Sequence, residues 1–260
     1  MKNANINLLE IKNFVKEQEK FHMIFKILQS NEDIVYTDYE NYIMARSAVG
    51  YPLWIWTIDN ISEEKINEVL MLMEKYFVLD ELKITCKEEL YVKINEIYEV
   101  SAYFEMGFLR CKKLNSVNKA RGFLDKPNYS DKITLANFWI NLCKEENNID
   151  IQFNDALIEV DEWLKSNNFY VLRNPMGKVV SLASYSVLEG RAKISHVYTP
   201  PEERKKGYCK NLVYEITKEI LDLNLVPLLY TNYNHKISNE LYKKIGYESE
   251  GYLVSFLIKK

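Results

Sequence analysis

Cysteine and histidine are scarce in this chain. There are four cysteines (Cys86, Cys111, Cys143, Cys209) and three histidines (His22, His196, His235) in 260 residues. The cysteines are scattered without a close pair and the histidines lack metal-ligand spacing, so neither a disulfide framework nor a structural zinc is expected and no metal ligand is assigned. Long apolar runs are missing as well: "YPLWIW" and "LVPLLY" are strand length, far short of the roughly 18 residues a spanning helix needs. The N-terminus carries charges every few residues in place of the apolar core of a signal peptide, which leads to the expectation of a cytoplasmic protein with no membrane partner. Acids exceed bases by three, 37 against 34, so no global positive field would attract nucleic acid. Neither a G-x-G-x-x-G fingerprint nor a nucleotide P-loop occurs.

What the chain does have is core material. Apolar residues make up 47% of it and aromatics 13%, with 19 tyrosines, which suits two compact units at this length. In the first half, Leu8, Ile11, Val15, Phe21, Ile24, Phe25 and Leu28 recur at helical spacing, and a strand-like pair, "DIVYTDYENYIMARSA" and "YPLWIWTID", breaks around Gly50. Ser62 is placed to cap a helix with Glu63 and Glu64 in its first turn, and Thr85 stands at capping-box spacing from Glu88. "FLRCKKLNSV" reads as a strand. The polar stretch around Gly122 and Pro127 sets a boundary near residue 118, giving domains 1–118 and 119–260, with Asp131 opening the next helix.

The second half is more sharply written. A helix over 154–164 precedes three extended runs, "FYVLRN", "KVVSLASYSVLE" and "RAKISHVYTP", joined by the turn signals "NPMG" and "EG", which make an antiparallel meander. Pro200 and Pro201 end the last run because neither can donate to a ladder. Arg204, Lys205, Lys206 and Gly207 follow, then a helix apolar at Cys209, Leu212, Val213, Ile216 and Ile220, a strand "VPLLYTNYN", a short helix "KISNELYKKIG" and a final pair "YESEGYLVSFLIKK". A helix start leaves backbone NH groups without internal partners at the positive end of the dipole, and glycine there removes side-chain cover. The turn at Gly207, with Lys205 and Lys206 before it, therefore has the form of a local phosphate site.

"VYTPPEERKKGYCKNLV" followed by "LYTNYNHKISNELYKKIGY" closely resembles the GNAT superfamily of acetyl-CoA-dependent N-acetyltransferases. The resemblance covers about the last 130 residues. It implies the acyl-CoA N-acyltransferase fold, an α/β architecture with a mixed, mostly antiparallel sheet flanked by helices, the N-terminal half being a degenerate copy without a cofactor loop. It also implies that Arg204, Lys205, Lys206, Gly207, Tyr208, Cys209 and Lys210 cradle the coenzyme A pyrophosphate. Val197, Tyr198 and Thr199 would lie along the pantetheine arm, and Asn232 and Asn239 near the cofactor. Tyr242 would be the acid that protonates the departing thiolate. Cys209 departs from the family's usual Gly or Ala; a thiol at a helix N-terminus can be activated, but Cys209 is still small and reads first as a packing residue. Glu203 stands where an aromatic residue is common, at a loop position that can point to solvent.

The implied reaction is direct attack of a neutral amine on the thioester, the acceptor being a small-molecule or peptide amine and the protein a monomer or homodimer. His196 has the intrinsic pKa of a base but, as a lone strand histidine, can equally be a satisfied structural residue; Glu202, Glu203, Tyr185 or a water chain are the alternatives. Asn232 and Asn234 can equally be turn formers, and Tyr242 can equally cover an apolar helix face with Leu241 and Ile245. Two other readings stay open: a non-catalytic acyl-CoA sensor, and an aminoacyl-tRNA-dependent transferase with tandem domains of this kind.

Overall fold

The computed structural model describes residues 7–28, 34–78, 80–118, 120–147 and 149–260. In chain order the first elements are α1 (Lys12–Val15), α2 (His22–Leu28), β1 (Ile34–Thr37), β2 (Tyr42–Arg46), β3 (Leu53–Thr57), α3 (Glu63–Met73), β4 (Glu81–Cys86), α4 (Glu88–Asn95) and β5 (Glu99–Cys111). After β6 (Phe123–Asp125) come α5 (Lys132–Asn147), α6 (Phe153–Lys165), β7 (Phe169–Arg173), β8 (Val179–Leu188), β9 (Arg191–Tyr198), α7 (Tyr208–Asp222), β10 (Val226–Asn232), α8 (Lys236–Ile245) and β11 (Tyr247–Lys259). With β6 set aside, two helices, three strands, helix, strand, helix, strand occurs twice. The second half thus repeats the element order of the first.

The chain forms two compact units. Unit 1 comprises Met1–Phe108, Thr231–Lys236 and Ser249–Lys260, and unit 2 comprises Leu109–Tyr230 and Ile237–Glu248. In unit 1, β1, β2 and β3 are antiparallel neighbours, β3 and β4 run parallel across the α3 crossover, and β11 pairs antiparallel with β4 from Val254↔Cys86 to Lys259↔Glu81. Its core gathers Met44, Ile55, Val69, Met73, Ile84 and Ile94 with Val254, Phe256 and Ile258 from β11. The α3 start is as read from the sequence: the Ser62 side chain accepts the Lys65 amide, and Glu63 and Glu64 occupy the first turn.

Unit 2 contains the meander. β6, β7, β8 and β9 are successive antiparallel neighbours and β9 runs parallel to β10 across the α7 crossover. α7 and α8 cover one face of this sheet through Leu212, Val213, Ile216, Ile220, Tyr242 and Ile245. α5 and α6 bring Leu135, Leu142, Val160 and Trp163 to a second core with Phe169, Val171, Leu182 and Tyr198. At the edge, Arg173 is held by Asp131 through two bonds of 2.9 and 2.7 Å and by Asp125 at 2.6 Å. The same Asp131 carboxylate accepts the Asn128 amide, so it also caps the turn that leads into α5.

Several boundaries differ from the sequence reading. The contacts divide the chain at Phe108 and Leu109 and give Ser249–Lys260 to unit 1, whereas local composition set the break near 118 and kept 249–260 in the second domain. The apolar spacing over Leu8–Leu28 is broken into a short turn of helix at Leu8–Glu10, α1 and α2. Thr85 caps nothing: it lies in β4, its hydroxyl bonds to Ser255, and α4 begins at Glu88 after Lys87. The strand expected over "FLRCKKLNSV" ends at Cys111 and begins as early as Glu99, and the expected final pair is one strand, β11, in which Gly251 takes a positive φ of 96°. Asp33 of the first strand-like run and Lys119 at the expected boundary lie outside the described residues.

Candidate active site

The site is built where β9 ends. The parallel register of β9 with β10 runs to Ile194 and Leu229. A bulge follows at once, because Leu182 pairs with Tyr198 while Ser184 pairs with Ser195, setting one extra residue in β9. His196 absorbs it with a φ of 55°. The Tyr198 carbonyl accepts the Ser181 hydroxyl at 2.8 Å, and the buried Thr199 hydroxyl meets the same serine at 2.8 Å, so the strand end is anchored before Pro200 stops it.

From there the chain turns into α7 with two left-handed residues, Lys205 at φ 62° and Gly207 at φ 84°. Gly207 is the N-cap of α7 and offers no side-chain cap; the first helical bond runs from the Asn211 amide to the Gly207 carbonyl at 3.1 Å. The amides of Tyr208, Cys209 and Lys210 therefore fall in the turn that has no intrahelical acceptor. A Cβ on Gly207 would meet only the Ala120 methyl, at 3.5 Å, so the approach is open.

Charge around this turn is distributed differently from the sequence expectation. Glu203 does not point to solvent: it is 8% exposed and accepts Lys178 at 3.1 Å and Lys206 at 2.9 Å, which hold its carboxyl below the usual range. Arg204 donates to the Thr199 carbonyl at 2.9 Å and to Glu145 at 2.5 Å. Two of the three consecutive basic residues are thus tied to carboxylates of the protein, and Lys205 is exposed. Cys209 is not activated by its helix position. Burial pushes its thiol up to about 11, against the pull of the Thr199 hydrogen bond and the Arg204 charge.

Tyr242 lies on α8 with its ring edge-on to Tyr247 at 5.9 Å, and is buried. Burial, then the neighbouring Cys209, Tyr247 and Glu146 charges, raise its hydroxyl well above the ordinary tyrosine value, so it is protonated at neutral pH. α8 is held by its exit. Gly246 has a φ of 121°, and a Cβ there would stand 2.2 Å from the Lys113 carbonyl oxygen, while the Asn115 amide donates to Ile245 at 2.9 Å. Tyr242 packs in the α7 and α8 core, with Cys209 of α7 among the groups that act on its hydroxyl.

The remaining assignments sort by their contacts. His196 stacks among Trp139, Trp163 and Phe169 at 5.4, 5.6 and 6.4 Å, and its Nδ1 meets the Ser184 hydroxyl at 2.7 Å, an aromatic setting that suits a packed bulge residue. Tyr185 donates to Glu219 at 3.0 Å, and burial followed by that carboxylate raises its hydroxyl. Glu202 is exposed on the turn before the loop, and Val197 packs against the α7 side. The Asn232 side chain accepts the Asn234 amide at 2.9 Å as a turn former, and both residues belong to unit 1 by their contacts. Asn239 is half-buried on α8.

Sequence reasoning missed the end of α5. Glu145 accepts both Arg204 and, at 3.3 Å, the Tyr198 hydroxyl. Glu146 beside it is raised by desolvation and by Glu145, and its charge reaches Tyr242. A signal was available: two carboxylates in the last turn of a helix oppose its dipole and need another reason to be there.

Unit 1 has the counterpart helix start without the site. Where α7 opens on an uncapped glycine, α3 opens on Ser62, whose side chain takes the Lys65 amide, with two glutamates in the first turn. The positive end of the α3 dipole is thus already met by carboxylates of the chain itself.

Residues 176–253 match the FR47-like protein family model. A beta-lysine N(6)-acetyltransferase from Methanosarcina mazei is 32% identical over 97 residues, which cover 36% of this chain and 36% of that relative, so the chain matches only about a third of its length. Among solved structures, an acetyltransferase of the GNAT family from Colwellia psychrerythraea superposes with a TM-score of 0.61 at 10% identity, covering 96% of this chain and 97% of the other. A GCN5-related N-acetyltransferase-like protein from Streptococcus suis gives 0.53 at 16% identity, covering 96% and 100%. The architecture is therefore that of the acyl-CoA N-acyltransferases. Residues 176–253 thus resemble the FR47-like family, and the chain as a whole shares the fold of the GNAT acetyltransferase structures.

Proposed function

We propose that the chain is an N-acetyltransferase that binds acetyl-CoA on the turn from Arg204 to Lys210 and transfers the acetyl group to a primary amine. The observation that carries this reading is the uncapped α7 start at Gly207, open to solvent, at the end of a bulged strand. When bound, acetyl-CoA supplies an activated thioester. The free amides of Tyr208, Cys209 and Lys210 suit the pyrophosphate, with exposed Lys205 as a nearby cation. The β9 end, Val197 to Thr199, suits the pantetheine arm, and Asn239 on α8 is a further polar group for the cofactor.

Tyr242 holds a proton that it can give to a departing thiolate, and Glu146, with its carboxyl raised, is the better candidate than His196 to take a proton from the amine. The acceptor to try first is an amino acid bearing a terminal amine, on the strength of the M. mazei relative's name. Free buried cysteines at Cys86, Cys111 and Cys143 suit a reducing cytoplasm. Among the described residues no helix is long and apolar enough to cross a membrane.

Thiol release from acetyl-CoA across a panel of amines tests the reading. With the best amine, Tyr242→Phe is expected to lower kcat about 30-fold with KM for acetyl-CoA unchanged, a modest share of what a positioned acid contributes. Glu146→Gln is expected to remove the acidic limb of the kcat/KM profile. No release with any amine refutes the transferase reading, and an unchanged kcat in Tyr242→Phe removes Tyr242 as the acid.

A further inference from the structure

The last turn of α5 gathers two segments of unit 2 that are far apart from it in sequence. Phe138 and Glu145 stand seven residues, about two turns, apart and so share one face of α5. Tyr198 runs along that face: its ring packs edge-on to Phe138 at 5.5 Å, and its hydroxyl donates to Glu145 at 3.3 Å. Burial and then the Glu145 charge push that hydroxyl up to about 12, so it keeps its proton at neutral pH. The other carboxylate oxygen of Glu145 accepts Arg204 at 2.5 Å. One side chain of α5 therefore holds both the last residue of β9 and the first residue of the turn into α7.

Arg204 closes the circuit. Its Nε donates to the Thr199 carbonyl at 2.9 Å while its Nη2 reaches Glu145, and its guanidinium carbon stands 5.8 Å from the Tyr198 ring centre. The connection from Thr199 to Arg204 is thus bridged end to end by one side chain. On its far side the Tyr198 carbonyl is fixed to β8 by the Ser181 hydroxyl. Glu145 and Arg204 are 42% and 43% exposed, so their ion pair lies at the surface, where it adds little to global stability. What it adds is a fixed separation between two pieces of backbone.

A ligand that spans both pieces is sensitive to that separation, because contacts made at one end align the other only if the gap is already set. We propose that Glu145 is a positioning residue for acetyl-CoA: through Tyr198 and Arg204 it fixes the spacing between the β9 end, which takes the pantetheine arm, and the α7 start, which takes the pyrophosphate. The inference rests on the acetyl-CoA reading and extends it to a residue that acts through two others. It also accounts for a carboxylate in the last turn of α5, where the helix dipole disfavours one. Charge alone argues against a carboxylate here, since it repels phosphate. Geometry and charge therefore have opposite signs in a test.

The test is calorimetric titration of wild type, Glu145→Ala and Glu145→Gln with acetyl-CoA, together with thermal unfolding of each. Glu145→Ala is expected to weaken acetyl-CoA about tenfold, while Tm stays within about 3 °C of the wild type. Glu145→Gln can present its amide oxygen to Arg204 and its NH2 group to the Tyr198 oxygen, and is expected to bind within about twofold of the wild type. Both variants remove the same negative charge, so a purely electrostatic role would make both bind more tightly. In the double variant, Glu145→Ala is expected to add nothing to the loss caused by Arg204→Gln alone. The transfer assay is expected to place the loss in KM for acetyl-CoA and not in kcat. Unchanged or tighter binding in Glu145→Ala, an equal loss in Glu145→Gln, or additive losses in the double variant overturns the proposal and leaves the cofactor reading standing. Absence of acetyl-CoA binding by the wild type overturns both.

Discussion

Replacing Gly207 by glutamate is expected to abolish measurable acetyl-CoA binding, a loss of about 1,000-fold or roughly 4 kcal/mol, while the protein stays folded. Two effects combine. At a φ of 84° any side chain costs about 1–2 kcal/mol of backbone strain, which lowers Tm by a few degrees but leaves room for the Cβ, whose nearest neighbour is the Ala120 methyl at 3.5 Å. The added carboxylate then competes with phosphate for the α7 amides and repels it, at about 4 kcal/mol for two charges some 4 Å apart at an effective dielectric of 20. Gly207→Ala separates the two contributions. It carries the strain without the charge and is expected to weaken binding by about tenfold or less. If both variants bind as the wild type does by calorimetry, the α7 start is not the phosphate site.

Asp131→Ala is expected to cost about 3–5 kcal/mol of stability, because it leaves Arg173, 8% exposed, with the outer carboxylate Asp125 and the Gly177 carbonyl, and also removes the cap on the Asn128 amide. The pH dependence has a definite sign. Desolvation would raise the Asp131 carboxyl, but the Arg173 bonds and the Asn128 amide more than offset it, and its folded pKa lies below the ordinary aspartate range. A group depressed on folding stabilises above its unfolded pKa, about 3.9, and loses that contribution as pH falls through the lower folded value. The stability gap between wild type and Asp131→Ala, measured by denaturant unfolding, is therefore expected to be full at pH 6 and to narrow only below about pH 4. A gap that closes between pH 7 and 5 would point to another titrating group.

The turn at Gly207 was legible because its information is local. Two prolines stop a strand, a glycine supplies a left-handed residue and an apolar stripe begins immediately after, all within one stretch of sequence. The meander was legible for the same reason, through its "NPMG" and "EG" turns. The strand exchange was not. That β11 closes the sheet of unit 1 beside β4 depends on pairing between residues some 170 positions apart, as in Val254↔Cys86, and nothing local to either strand announces it. Thr85 misled because Thr-x-x-Glu spacing looks the same whether the threonine caps a helix or ends a strand two residues earlier.

Charge was read least well. Adjacent lysines and arginines look like a reserve for phosphate until their partners are known: Lys206 is taken by Glu203 three residues away, and Arg204 by Glu145, 59 residues away. Cys209 shows the same limit in reverse. Its helix position leaves a reactive thiol and a small packing residue both open in the sequence, and burial decides for the neutral, packed thiol. The repeat itself exposes the contrast that matters for function: one fold plan, with Ser62 capping the helix start in unit 1 and Gly207 leaving it open in unit 2.

Calorimetric titration of the intact chain with acetyl-CoA tests that contrast most directly. One equivalent is expected to bind per chain, weakening as salt is raised, and Gly207→Glu is expected to remove it. No binding, or two equivalents of similar affinity, would contradict an account in which the open α7 start is the cofactor site and the capped α3 start is not.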